Sequence, residues 1–415
     1  MSDRPARAKL PFLPYLEGLR GIGALWVVLG HIYQSFEVNY APFGPATELL
    51  PFRGQFLLYG HYAVGIFMVI SGFVLTIPVA VRGSLTGGWR KFAVRRARRL
   101  LPAYFGALTL AIPFYLYHLH QEGAHTTIRN VAVQYVIHAL FLHEFFNRTI
   151  YGINGPLWSV GVEMILYVLF VLLLLPVFRR AGLAATVTVA FVLGFLPTIV
   201  GLLRHQTAYP LELACFWYLG EFAFGSAAAF IAYDAQDRYA TLRAKVPWKW
   251  LFLVLATLFI ILVIPYYDER TSRQVFPLFD IFMGVIAAVG FIAVAKDERL
   301  GKRSITATIF SWKPLVWLGT FSYSLYLINH PILDVIMTAL APMPSLVRVT
   351  VGYLIVLPIT VAIAYLFGRV FETPFVSAVL READQALLHA DAPAAELSHA
   401  EKPGLTVGGV PFGSS

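Results

Sequence analysis

What limits this chain most is a series of helix-length apolar segments separated by short loops, over almost its whole length. Segments at 13–34, 58–81, 100–119, 156–178, 183–203, 211–232, 250–266, 277–295, 314–338 and 346–371 are each long and apolar enough to cross hydrocarbon as helices. Hydrocarbon offers backbone groups no partner, so a spanning chain closes its hydrogen bonds within a helix or around a closed barrel. Strand-length alternation is absent, which selects the helix. Of 415 residues 58% are hydrophobic and 13% charged, more apolar side chain than a soluble fold of this size can cover. The fold class is therefore all-α, a polytopic transmembrane helical bundle.

A shorter apolar stretch, 131–146 (VAVQYVIHALFLHEFF), carries Gln134, His138 and His143, and charge decides whether it crosses. If it spans, Arg179 and Arg180, the loop 238–249 and the loop 296–303 all lie outside the cell. If it does not, those loops join the N-terminus, the segment 82–99 and the tail from Arg381 on the cytoplasmic face, as the positive-inside rule requires. The second arrangement predicts about ten spanning helices in a multi-pass plasma-membrane protein with both termini cytoplasmic. The 131–146 stretch is then re-entrant or interfacial. Residues 1–383 form one membrane domain, and 384–415, rich in Ala, Pro, Gly and Ser, a disordered cytoplasmic tail. The net charge of +9 belongs to these loops and is no nucleic-acid signature. A lone cysteine, Cys215, excludes an internal disulfide and a cysteine-based metal cluster, and no metal is expected.

Ionisable groups in spanning segments are costly and mark functional paths. The first helix, YLEGLRGIGALWVVLGH, carries Glu17, Arg20 and His31. Glu17 and Arg20 are three apart on one face, whereas His31 stands roughly 16 Å further along a straight helix. With the first helix running outward, His31 lies near the outer end. Trp158, Ser159 and Glu163 enter from outside on GPLWSVGVEM, and Tyr326, Asn329 and His330 reach the same level on FSYSLYLINHPIL. An imidazole beside a carboxylate makes a general base, or each group simply satisfies an interhelical hydrogen bond. On the cytoplasmic side, KFAVRRARRLLPAYF places Arg96 and Arg99 where a helix enters the bilayer. Such a cluster sets topology against anionic lipid, or grips a phosphate-bearing ligand. Gly60, Gly65 and Gly72 in GHYAVGIFMVISGFVLT suit close helix packing.

Taken together, these segments resemble the acyltransferase-3 family of integral membrane O-acyltransferases over residues 13–376. YLEGLRGIGALWVVLGH resembles its opening helix, VISGFVLT its Ser-Gly-Phe helix, and RRARRLLPAY its Arg-x-x-Arg-x-x-Pro-x-Tyr entry. GPLWSVGVEMILY resembles its Trp-Ser-(x)3-Glu segment, LGTFSYSLYLINHP its Ser-Tyr helix ending in histidine and proline, and FETPF its closing Glu-x-Pro. Glu17 stands where aspartate is commoner, and Gly65 where many members have aspartate. The lack of a fused esterase-like domain suggests a stand-alone member.

The resemblance implies transfer of an acyl group, often acetyl, from cytosolic acyl-CoA to a hydroxyl of a glycan, lipid-linked sugar or macrolide. Arg96 and Arg99, with Arg20, would hold the CoA phosphates, and His31 would deprotonate the acceptor. Glu163 would orient His31 or hold the acceptor. Trp158, Ser159, Tyr326 and His330 would line the substrate or steady the oxyanion. A transporter or flippase of a lipid-linked sugar is the rival reading, since buried charge and a wet path serve both. Acceptor choice is expected from the outward loops at 35–57, 120–155, 204–210 and 267–276.

Overall fold

The computed structural model describes residues 10–11, 13–38, 57, 59–121, 123, 126–146, 149–203, 216–263 and 269–375. The expected tail, Cys215, and most of the outward loops at 35–57 and 204–210 lie outside the described residues. No strand occurs among the described residues, and the chain is a bundle of helices. In order these are α1 (Pro14–Val38), α2 (His61–Arg82), α3 (Gly88–Gln121), α4 (Ile128–Ala139), α5 (Leu157–Leu169), α6 (Leu175–Leu203), α7 (Tyr218–Tyr233) and α8 (Ala240–Lys245). There follow α9 (Trp248–Val263), α10 (Glu269–Arg299), α11 (Ile305–Phe310), α12 (Lys313–Gly319), α13 (Ser322–Leu340), α14 (Ser345–Val351) and α15 (Leu357–Phe371).

Five of these stretches are long and apolar enough to cross a membrane by length and composition: 61–82, 88–121, 157–197, 277–299 and 346–371. The third is interrupted at Gly182, whose φ of 81° only glycine adopts without strain. That break divides it into the two neighbouring segments the hydropathy pattern gives. The expected 131–146 segment is not one continuous helix. It comprises α4, a turn through Phe141, and a single 3-10 turn at His143–Phe145.

The basic loops gather at one end of the bundle. The Ala235 N–H donates to Ala80 O at 3.0 Å, bringing the last turn of α2 beside the end of α7. Lys249 Nζ lies 2.8 Å from Asp297 Oδ2, which joins the start of α9 to the end of α10. Exposed Trp89, Trp250 and Trp312 lie on the segments that carry these basic residues, the composition of a membrane interface.

Glycine sets how closely the central helices approach. The α2–α7 pair shares the largest interface in the bundle. A Cβ built on Gly72 would stand 2.0 Å from Phe222 O, and one on Gly225 2.0 Å from Val69 O. The contact is reciprocal, so relief requires the two backbones to separate. Small residues at such crossings replace the hydrophobic drive that lipid does not supply. Gly225→Val is therefore expected to destabilise the folded protein by about 2–4 kcal/mol. The thermal midpoint in detergent checks this, with Ala228→Gly as a packing control. On the opposite flank, α1 packs on α12 by the same means, with Gly319 against Glu17 O.

Candidate active site

A cavity of about 780 Å³, measured out to its mouth, lies among α1, α2, α3, α5 and α13. Its lower part is ionic. Arg20, Arg96 and Arg99 line it, together with Ser71, Glu163, Tyr167 and Glu372. Arg20 Nη1 pairs with Glu17 Oε1 at 2.6 Å, as their spacing predicts. Arg96 hydrogen-bonds Tyr167 and lies in the field of Glu163, while Arg99 lies in the fields of Glu17, Glu372 and Glu163. Ser71 Oγ donates to Glu163 Oε1 at 2.8 Å, and the Tyr167 hydroxyl donates to the same oxygen. Glu372 Oε2 accepts from the Ser324 N–H at 3.0 Å and from Ser324 Oγ at 2.6 Å. Arg96 Nε is buried and has no hydrogen-bond partner among the described residues.

The upper part of the cavity is neutral. Ser159 Oγ lies 2.7 Å from the Tyr326 hydroxyl and 3.2 Å from Pro156 O. Trp158 turns towards α7, where its ring stacks on Tyr218 at 6.0 Å. Tyr326 and Asn329 are three residues apart on α13, so the next side chain up that face is Asn329. Its Oδ1 lies 2.6 Å from His31 Nδ1.

The Asn329 amide fixes the state of His31. Its Nδ2 donates to Leu325 O at 2.9 Å and Tyr326 O at 2.7 Å. Carbonyl oxygens only accept, so the flipped amide would face them with another oxygen. Oδ1 must therefore receive the proton of His31 Nδ1–H, which leaves the lone pair on Nε2. Asn329 is fully buried whereas His330 is exposed, and the His31 and His330 rings meet edge to face at 5.2 Å. Position 155 is glycine, and a Cβ there would lie 3.8 Å from His330 Nε2.

The structure thus brings Arg20, Arg96, Arg99 and Glu163 into one cavity, with Ser159 and Tyr326 above them. It brings His31 to Asn329 and His330. Glu163 sits with the arginines and not beside His31. The reason is direction: α5 descends from the loop, so four residues past Ser159 bring the carboxylate a full turn lower. Ser71, Tyr167 and Glu372 complete the ionic set and were not singled out as site residues from sequence. Tyr167 follows Glu163 by four residues on one helix face, a signal that local spacing carries.

Comparison with known proteins matches this architecture. A family model described as an acyltransferase domain covers residues 13–369. The chain is 26% identical over 397 residues to the peptidoglycan O-acetyltransferase OatA of Listeria monocytogenes, covering 89% of this chain and 57% of that protein. It is 25% identical over 345 residues to YrhL of Bacillus subtilis, a protein named provisionally as a peptidoglycan O-acetyltransferase, covering 78% and 49% respectively. The chain therefore spans about half the length of these curated relatives. No solved structure matches it.

Proposed function

The chain belongs to the acyltransferase-3 family, and from that premise we propose that it moves an acyl group, acetyl in the first instance, from cytosolic acyl-CoA to a hydroxyl on a glycan. The observation that carries this reading is that the cavity ends at Ser159 and Tyr326, one helical turn along α13 from the asparagine that holds His31. The ionic cavity reaches Ser159 and Tyr326, and beyond Tyr326 on α13 Asn329 holds His31 with the lone pair on Nε2. The acidic partners around Arg20 and Arg99 hold those side chains in place, and Arg96 Nε remains to meet a phosphate. The basic end of the bundle is read as cytoplasmic, where acyl-CoA is found. The names of both relatives support a glycan acceptor and an acetyl group.

Direct transfer then proceeds in one encounter. His31 Nε2 takes the proton of the acceptor hydroxyl as its oxygen bonds to the thioester carbonyl carbon. The C–S bond breaks, and the CoA thiolate recovers the proton from the imidazolium. Ser159 and Tyr326 are the hydroxyl donors nearest the path and serve the developing oxyanion. Asn329 positions His31 and selects its tautomer, so it acts through the base and not on the substrate.

Asn329→Ala is accordingly expected to lower kcat by about a hundredfold while leaving KM for acyl-CoA nearly unchanged. Asn329→Asp, which still accepts from Nδ1–H, should restore part of the loss and raise the apparent pKa of the kcat profile. A thiol-release assay on purified protein reads both. Equal losses in kcat for Ala and Asp, with no shift in the pH profile, would remove Asn329 from this role.

A further inference from the structure

We propose that His138, His143 and Glu144 are positioning residues for the acceptor: they form a polar clamp that holds the loop 149–157 against α13 over the His31–His330 site, with a grip that depends on pH. The inference rests on the acyl-transfer reading above for what the loop serves.

All three side chains are fully buried. The two imidazoles stack at 4.3 Å with planes 9° apart, and His143 Nε2 lies 3.0 Å from Glu144 Oε1. The cluster grips the loop at its start, its middle and its end. Thr149 Oγ1 donates to His143 O at 3.0 Å. A Cβ on Gly152 would stand 3.0 Å from His138 Cε1, and His143 Nε2 donates to Leu157 O at 3.2 Å. Just beyond the loop, a Cβ on Gly161 would meet Glu144 Oε1 at 2.9 Å. The opposite face of the loop lies on the site. Asn154 Nδ2 donates to Leu327 O at 2.8 Å, and Gly155 faces His330. The loop is thus a wall with a titratable cluster on one side and His330 on the other.

The cluster is built for the neutral state. His138 Nδ1 donates to Gln134 O at 2.8 Å, leaving its Nε2 as a lone pair. His143 donates through Nε2, leaving Nδ1 as its lone pair. Neither lone-pair nitrogen has a hydrogen-bonding partner among the described residues. Among the described residues, the other titratable group turned towards them is Tyr104 of α3, whose hydroxyl donates to His138 O at 2.8 Å, with Tyr135 of α4 beyond it. Burial pushes both imidazoles down to about 4 and the Glu144 carboxyl up to about 9.

The signs follow from comparing the seated loop with a lifted one. Lifted, the histidines bind protons from about pH 6.5 downward, whereas seated they do so only near pH 4, so acid favours lifting. Lifted, Glu144 ionises above about pH 4.5, whereas seated it keeps its proton to about pH 9, so alkali also favours lifting. The grip is strongest between these limbs, at roughly pH 6.

The test places a thiol under the loop. Ile153 is buried, and Ile153→Cys in a Cys215→Ser background is labelled with a methanethiosulfonate in lipid nanodiscs. The rate is normalised to the exposed position Tyr151→Cys. We expect slowest labelling near pH 6 and a rise of about tenfold or more towards pH 4.5 and pH 8.5. Glu144→Gln should remove the alkaline limb alone, and His138→Gln with His143→Gln the acid limb alone. Glu144→Gln should also flatten the alkaline side of the acceptor KM profile while leaving the donor KM profile unchanged. A parent rate that follows the reference thiol at every pH overturns the clamp, even if the double variant does not fold. Limbs that survive the substitutions, or an acceptor KM that ignores them, overturn it too. Labelling needs no acyl donor, so an absence of acyl transfer would instead refute the functional reading and leave the loop result standing.

Discussion

His31→Ala is expected to lower acyl transfer by about a thousandfold or more and to leave acyl-CoA binding within about twofold. The split follows from geometry. The donor's charged part is assigned to Arg20, Arg96 and Arg99, which line the cavity, whereas His31 stands beyond Tyr326 and contacts Asn329 and His330. Removing the imidazole deletes the base assigned to the acceptor hydroxyl. It also strands Asn329 Oδ1, a stability loss of about 1–2 kcal/mol that a folded bundle tolerates. His31→Gln, which keeps a donor for Asn329 but offers no base, separates the two effects: stability returns and transfer does not. Added imidazole should restore some turnover to the alanine variant, because the open side at His330 admits a small base. The checking measurement is donor binding by calorimetry beside thiol release on the same preparation. A folded His31→Ala protein with near-normal turnover would remove the histidine from the mechanism.

Arg96→Ala is expected to raise KM for acyl-CoA by about ten- to a hundredfold, the loss of one charge-assisted hydrogen-bonded contact to phosphate. Of the three arginines lining the cavity, Arg96 has a buried donor without a hydrogen-bond partner among the described residues, so its removal is expected to cost ligand contact as well as field. Arg96→Lys should recover only part of the affinity, because an ammonium cannot reproduce the guanidinium fork. A shortened donor distinguishes a phosphate grip from a general loss of structure. Acyl-pantetheine lacks the nucleotide phosphates, so its kcat/KM should be poor and nearly equal in the parent and Arg96→Ala. If the variant loses as much activity with acyl-pantetheine as with acyl-CoA, Arg96 supports the fold and not the donor.

The helical bundle was legible because membrane spans are written locally, as apolar length and basic loops. The pairing of Glu17 with Arg20 was legible for the same reason, since three residues on a helix face bring them together. The cavity draws on longer range. Ser71 bonds Glu163 across 92 residues, and Ser324 bonds Glu372 across 48. No periodicity in either helix announces those contacts. Depth was read from residue number alone, which placed Glu163 level with His31. The structure puts it a turn lower, among the arginines, and gives His31 the amide of Asn329. Gly65 shows the same limit from the other side. Its missing side chain leaves room for Glu221 of α7, whose Oε2 would stand 2.5 Å from a Cβ there. A glycine in an apolar helix reads as packing, and only the fold identifies what it packs against.

Acyl transfer from a thioester to a hydroxyl can be followed directly with purified protein in nanodiscs. Acetyl-CoA and a soluble glycan fragment are supplied together, and released thiol is measured beside new ester on the glycan by mass spectrometry. Equal amounts of thiol and O-acetyl ester are expected, both lost in His31→Ala. Thiol release and ester both absent, while the same protein moves a lipid-linked sugar across a sealed vesicle, would contradict acyl transfer and establish the transporter reading in its place.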